Sequence, residues 1–252
     1  MIHEEPVSET GAPAARRFSL RSAISWAVMI AVAVAIVVVG NHHAHEIAET
    51  LRTVSVWPVL GAAALHAATL ALRSEAWRIG LRAVGAEDLP LATIHRANAL
   101  AFLVGTIQGE LSLPARVAAL RRAEPDRAPT AVQTAMVDAP LALVELACLF
   151  AFAALRIWLI LLAFHLAIDI TSVAKVVAAV TIIGVLPVGL GTGPTATIAS
   201  LSSGNAAITS DGVALSAGLA ISATSVLGVV AYGLIMWAWA LRDAAMRRRA
   251  GG

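Results

Sequence analysis

The chain has 252 residues, 59% of them apolar and 13% charged, with a mean hydropathy of +0.81. Soluble domains run near about 45–50% apolar and about 25% charged, so this composition excludes an ordinary soluble enzyme. Eighteen basic against sixteen acidic residues give a net charge of +2, and the clustered arginines suit anionic lipid head groups before nucleic acid.

The length allows about six or seven membrane segments with short loops, without a soluble catalytic domain. Residues 1–20, with three glutamates and two prolines, read as a disordered cytoplasmic tail. Ser22–Asn41 follows as a first helix. It is too long for a signal-peptide core and lacks a small-residue cleavage site, so it reads as a retained span. Asn41–Arg52 is expected to be a polar loop, and Thr53–Leu72 a second span carrying Pro58 and His66. In the next stretch Trp77, Leu81 and Val84 share one helical face, while Arg78 and Arg82 share another. That pattern fits an amphipathic helix on the membrane surface, or a plain juxtamembrane helix end.

Ala97–Gly109 is uncharged but too short to span, and it runs into Gly105-Thr-Ile-Gln-Gly109-Glu110-Leu-Ser112-Leu-Pro114. Helical sequence resumes from Arg116 to Arg122, so Gly105, Gly109 and Pro114 are candidate hinges of a broken element. Thr130–Leu155 restarts as a long helix containing Asp138, Pro140 and Glu145, and Ile157–Ala174 is the next expected span. The single cysteine, Cys148, lies in this apolar region and permits no internal disulfide. Residues 176–210 carry no formal charge, and in their middle sits Pro187-Val-Gly189-Leu-Gly191-Thr192-Gly193-Pro194. Such a cluster cannot continue a helix, and broken backbone at membrane depth is tolerated only inside protein or beside a polar cavity. Gly212–Leu241 is the last span, and residues 244–252 form a basic cytoplasmic tail.

The expected fold is therefore an all-α polytopic membrane domain over 21–243, with about six spanning helices plus two broken or re-entrant elements. The two breaks lie about 80 residues apart, which suggests a weak internal repeat of the kind that marks transporter sites. Arginines at 16, 17 and 21, and again at 242 and 247–249, place both termini in the cytoplasm.

Asp138 and Glu145 are two helical turns apart and share a face, and a carboxylate inside a bilayer must meet a cavity or an arginine. Asp138 also suits a helix mouth bathed in interfacial water. Arg116 follows Pro114 at a helix restart, where free N–H groups and a guanidinium together suit a phosphate. Ser112, Arg121, Thr192 and Thr195 are further candidate contacts, with Glu110, Asp138 and Glu145 as cavity charges. The cluster His42, His43, His45, Glu46 and Glu49 lacks a distinctive metal-site spacing and reads as a solvated loop, so no metal or cofactor is expected. His66, His95 and His165 stand isolated and suggest no ligand role. Gly212, Ser216, Ala220, Thr224 and Gly228 form a small-residue stripe for internal packing or a homodimer seam.

Two motifs carry a resemblance. The Arg73–Gly85 helix followed by Leu113-Pro114-Ala-Arg116-Val-Ala-Ala-Leu-Arg121, and the later Leu186-Pro187-Val-Gly-Leu-Gly191, resemble the flippase-like membrane domain of lysylphosphatidylglycerol synthases. The resemblance covers roughly Val54–Leu241 and implies lipid translocation. The chain departs from that pattern at Ala118-Ala119, at Gly193-Pro194 and at Ala135, where the family usually carries charge. The family's aminoacyl-transferase domain is absent, so lysyl-lipid synthesis is not implied. The leading expectation is a non-enzymatic protein of the cell membrane that binds and moves an anionic lipid, such as a phospholipid or polyprenyl-phosphate carrier. The alternative is a non-catalytic subunit that scaffolds a lipid- or glycosyl-transferring membrane enzyme.

Overall fold

The computed structural model describes residues 30–31, 34–35, 37–38, 40–85, 89–107, 109–166, 170–184, 195, 197 and 211–250. Of these, it describes the backbone alone for 110, 138–149, 172, 183–184, 211, 244 and 247–250. The described residues contain no strand; their regular structure is helical. The helices are α1 (Ala44–Thr53), α2 (Val56–Ala83), α3 (Leu91–Ile107), α4 (Ser112–Ala123), α5 (Ala131–Ala163), α6 (Ile170–Gly184) and α7 (Asp211–Ala250).

Where a polar loop was expected, α1 is a helix. Its polar residues hold one another at helical spacing, with His43 on Glu46 at 3.1 Å, His45 on Glu49 at 3.6 Å, and Thr50 donating to the Glu46 carbonyl. α2 likewise runs unbroken through the stretch read either as a membrane-surface helix or as a plain helix end, and its continuity fits the helix end. The faces were assigned correctly, but Trp77 and Leu81 are buried against Leu89, Ile94, Leu120 and Val137 rather than laid on a membrane.

α5 corrects a third boundary. The sequence suggested two spans separated at Arg156, yet one 33-residue helix carries the chain past it. No glycine or proline punctuates the chain near Arg156, so the backbone has no cause to stop. The helix ends instead at Phe164–His165, where His165 takes φ +54° and the Leu166 N–H donates back to the Leu161 carbonyl. Its start at Thr130 is a complete capping box, with the hydroxyl accepting from the Gln133 N–H and Gln133 returning a bond to the Thr130 N–H.

α2 packs chiefly against α5 and α7, α3 against α4 and α7, and α6 against α5. A Ser55 N–H to Ala163 carbonyl bond of 3.1 Å ties the start of α2 to the end of α5. The small-residue stripe of α7 is turned inward. A Cβ on Gly212 would strike the Glu46 carboxylate, and one on Gly228 would lie 2.7 Å from His66 Cδ2.

The first expected break is present. α3 stops at Ile107, a 3-10 turn covers Gly109–Leu111, and α4 folds back along α3. Pro114 stands in the first turn of α4, where a missing N–H costs little. Gly105 is not in the turn but in α3, where its bare Cα lets Ser112 come close; a Cβ would sit 3.2 Å from Ser112 Cβ. The second break, Pro187 to Pro194, lies outside the described residues, as does most of the first expected span.

Among the described residues, two helices are long and apolar enough to cross a membrane, Val56–Ala83 and Gly212–Asp243. Shorter apolar helices are Leu91–Ile107, Phe150–Ala163 and Val173–Ile182. Only 17% of the apolar window of α2 is buried, so its outer face presents Val56, Trp57, Leu60, Leu72 and Ile79 to the surroundings. A helix in the core of a soluble protein would bury that surface.

Candidate functional site

The apolar helices α2, α3 and α7 converge on a chain of polar groups. Glu75 Oε1 meets His95 Nε2 at 2.8 Å, and His95 Nδ1 meets the Tyr232 hydroxyl at 2.8 Å. Tyr232 donates to Ser74 Oγ at 2.8 Å, and Ser74 donates to the Leu70 carbonyl at 2.9 Å. Ser74, His95 and Tyr232 are all buried, whereas the Glu75 side chain is 36% exposed. Arg78 holds the other carboxylate oxygen of Glu75 at 2.7 Å. Phe102 and Trp239 pack around the Tyr232 and His95 rings, and Arg73 lies over Phe102.

A second buried cluster joins α2, α5 and α7. Arg156 Nη1 donates to His66 Nδ1 at 3.0 Å and to Ser225 Oγ at 2.8 Å, while its Nε has no hydrogen-bond partner. Since arginine only donates, His66 must present a bare Nδ1 and carry its proton on Nε2. Among the described residues no carboxylate lies within ion-pair distance of Arg156. Gly228 makes the cluster possible, because only a residue without Cβ lets α7 pass this close to His66.

On the outer side of the α3–α7 seam lies a groove of about 390 Å³. Its apolar walls come from Leu100, Leu103, Val230, Leu234 and Trp237, and Arg96 stands at the same end as Trp237. Arg96 spends Nε on the Ala92 carbonyl and touches Thr93 through Nη2, so Nη1 keeps its donors for an incoming group. Gly233 opens onto free space, with nothing within 4 Å of a Cβ built there.

No family model, curated protein or solved structure matches this chain.

Arg116 is buried and stacks on Trp77, its guanidinium 4.8 Å from the ring centroid. Arg121, five residues on, is exposed on another side of α4, and Ser112 is half-buried beside Gly105. Thr195 is half-buried and Thr197 fully buried, both helical. The backbones of Glu110, Asp138 and Glu145 fall in the 3-10 turn and in α5, and Thr192 lies outside the described residues. His42 stacks edge-on against His43, and no three metal-capable side chains gather among the described residues.

Sequence reasoning named His66 and His95 but gave them no ligand role, and it assigned no site role to Glu75, Tyr232, Arg156 and Arg96. A signal existed. An ionisable group inside an apolar helix requires a partner, and His66, His95 and Arg156 each stand in one. The identity of the partners was not readable, because Tyr232 is 137 residues from His95 and Ser225 is 69 from Arg156.

Proposed function

We propose that this protein is a multi-pass component of the cell membrane, with both termini cytoplasmic, that binds an anionic lipid and carries it between leaflets. The observation that carries this reading is the α3–α7 groove, apolar along its length with Arg96 at one end. Its volume falls in the range of ligand sites, about 300–1,000 Å³. A lipid has the matching chemistry, with an acyl or prenyl chain for the apolar walls and a phosphate for the guanidinium. Trp237 beside Arg96 gives that end an amphipathic border of the kind found where a bilayer meets water. The outward apolar faces of α2 and α7 support the same setting, and so does the motif resemblance. No catalytic chemistry is part of this reading.

The binding step is tested by native mass spectrometry of the detergent-purified protein with phosphatidylglycerol, a polyprenyl phosphate and zwitterionic phosphatidylcholine. The wild type should retain an anionic lipid in preference to phosphatidylcholine. Arg96→Ala should weaken that retention about tenfold or more, since a hydrogen bond to a charged group contributes about 1.5–3 kcal/mol. Equal retention of charged and zwitterionic lipids, unchanged by Arg96→Ala, would remove the basis for the reading.

A further inference from the structure

The buried chain on the inner side of the α3–α7 seam has a fixed hydrogen inventory. Four contacts connect the Leu70 carbonyl, Ser74, Tyr232, His95 and Glu75, each at 2.8 or 2.9 Å. Each needs one hydrogen. Ser74 has a single hydroxyl hydrogen and directs it to Leu70, so Tyr232 must supply the hydrogen between itself and Ser74. The Tyr232 oxygen can then only accept from His95, which places a hydrogen on Nδ1. The fourth hydrogen must lie between His95 Nε2 and Glu75 Oε1. A neutral imidazole and an ionised carboxylate together hold one hydrogen, and the geometry requires two.

We infer that Glu75 and His95, oriented by Tyr232 and Ser74, form a binding site for one proton, and that the packed arrangement of α2, α3 and α7 is its proton-loaded form. Glu75 is the port, because it is the half-buried member of a chain whose other side chains are buried. The other end is closed, since Ser74 donates into its own helix at the Leu70 carbonyl. The site therefore stores a proton and does not conduct one. When the proton leaves through Glu75, three hydrogens remain for four contacts, and one contact must break. Either His95 parts from Glu75, or the chain reverses direction and Ser74 releases Leu70. Both outcomes disturb the seam that carries the groove, because Tyr232 packs with Ala99, Val229 and Met236. The charged and titratable neighbours are Arg73 and Arg78 on α2, Arg96 on α3, and Arg242 and Asp243 one turn beyond Trp239 on α7. Arg78 already occupies Glu75 Oε2, which leaves Oε1 alone to share the proton.

Glu75→Gln provides the test. The amide oxygen can accept from Arg78 while the amide nitrogen donates to His95 Nε2, so the variant supplies the fourth hydrogen permanently. The full-length protein, wild type and variant, is melted in the same detergent from about pH 5 to about pH 9. A folded state that holds one more proton than the unfolded chain loses stability as pH rises. The wild type should therefore lose a few degrees of melting temperature across the range relative to Glu75→Gln, whose curve should be flatter. Nitrogen-15 NMR of labelled histidine in bilayers, with His95 assigned by His95→Gln, should show Nδ1 protonated at the acid end and a proton lost from the ring or a changed tautomer at the alkaline end. Parallel melting curves, or a His95 ring in one protonation state and one tautomer throughout, would overturn the inference. If Glu75→Gln fails to fold, the wild-type ring spectra decide alone. Neither measurement reads lipid binding or lipid movement, so this result stands apart from the lipid-binding test.

Discussion

Gly228 and Gly233 lie five residues apart on α7 in opposite surroundings. A Cβ on Gly228 would meet His66 Cβ at 2.9 Å and the Ala63 carbonyl at 3.0 Å, and backbone cannot step aside as a flexible side chain can. Gly228→Ala should therefore destabilise the fold by about 1–3 kcal/mol, as overpacking does, outweighing the gain in helix propensity. Gly233 faces open groove, so Gly233→Ala should stabilise by about 0.5–1 kcal/mol through helix propensity alone. Unfolding midpoints of the two variants in one detergent check the pair, and a stabilised Gly228→Ala would mean that α7 does not approach His66 this closely. The sequence showed the stripe of small residues but not which of them meet a neighbour. That distinction depends on where α2 lies, which no local pattern specifies.

Among the elements, α5 shows both what the sequence reveals and what it hides. Its start was legible because the capping box is local chemistry, with Thr130 and Gln133 three residues apart. Thr130→Ala should cost about 1 kcal/mol of stability, measured as a lowered unfolding midpoint, while Ala131→Gly would test propensity without touching the cap. An unchanged midpoint in Thr130→Ala would show that the first turn of α5 is held by other contacts. The course of α5 past Arg156 was illegible. A charge in an apolar run looks like a boundary, and only His66, 90 residues away, and Ser225 explain why the helix keeps it inside. α1 was hidden for the opposite reason. Its polar composition suggested a loop, yet the His–Glu pairs at three and four residues satisfy helical spacing. The break after α3 was legible because glycine and proline act on the backbone directly, although the 3-10 turn begins at Gly109, four residues beyond Gly105.

For the whole molecule, the all-helical class followed from composition, and the groove followed from nothing local. The groove and the Glu75–His95 pair use the two sides of one seam, with His95 and Arg96 adjacent on α3 and Tyr232 and Gly233 adjacent on α7. One rearrangement of α3 against α7 would alter both the groove and the pair. The direct test of lipid movement is the rate at which a fluorescent anionic phospholipid or polyprenyl phosphate, placed in the inner leaflet of sealed liposomes, becomes reducible from outside by dithionite. The wild type should speed this exchange well above protein-free liposomes. Gly233→Leu, which fills the groove from a position with free space around it, should bring the rate down toward the protein-free value while the protein stays folded. Wild-type liposomes indistinguishable from protein-free ones, or Gly233→Leu as fast as the wild type, would contradict the account.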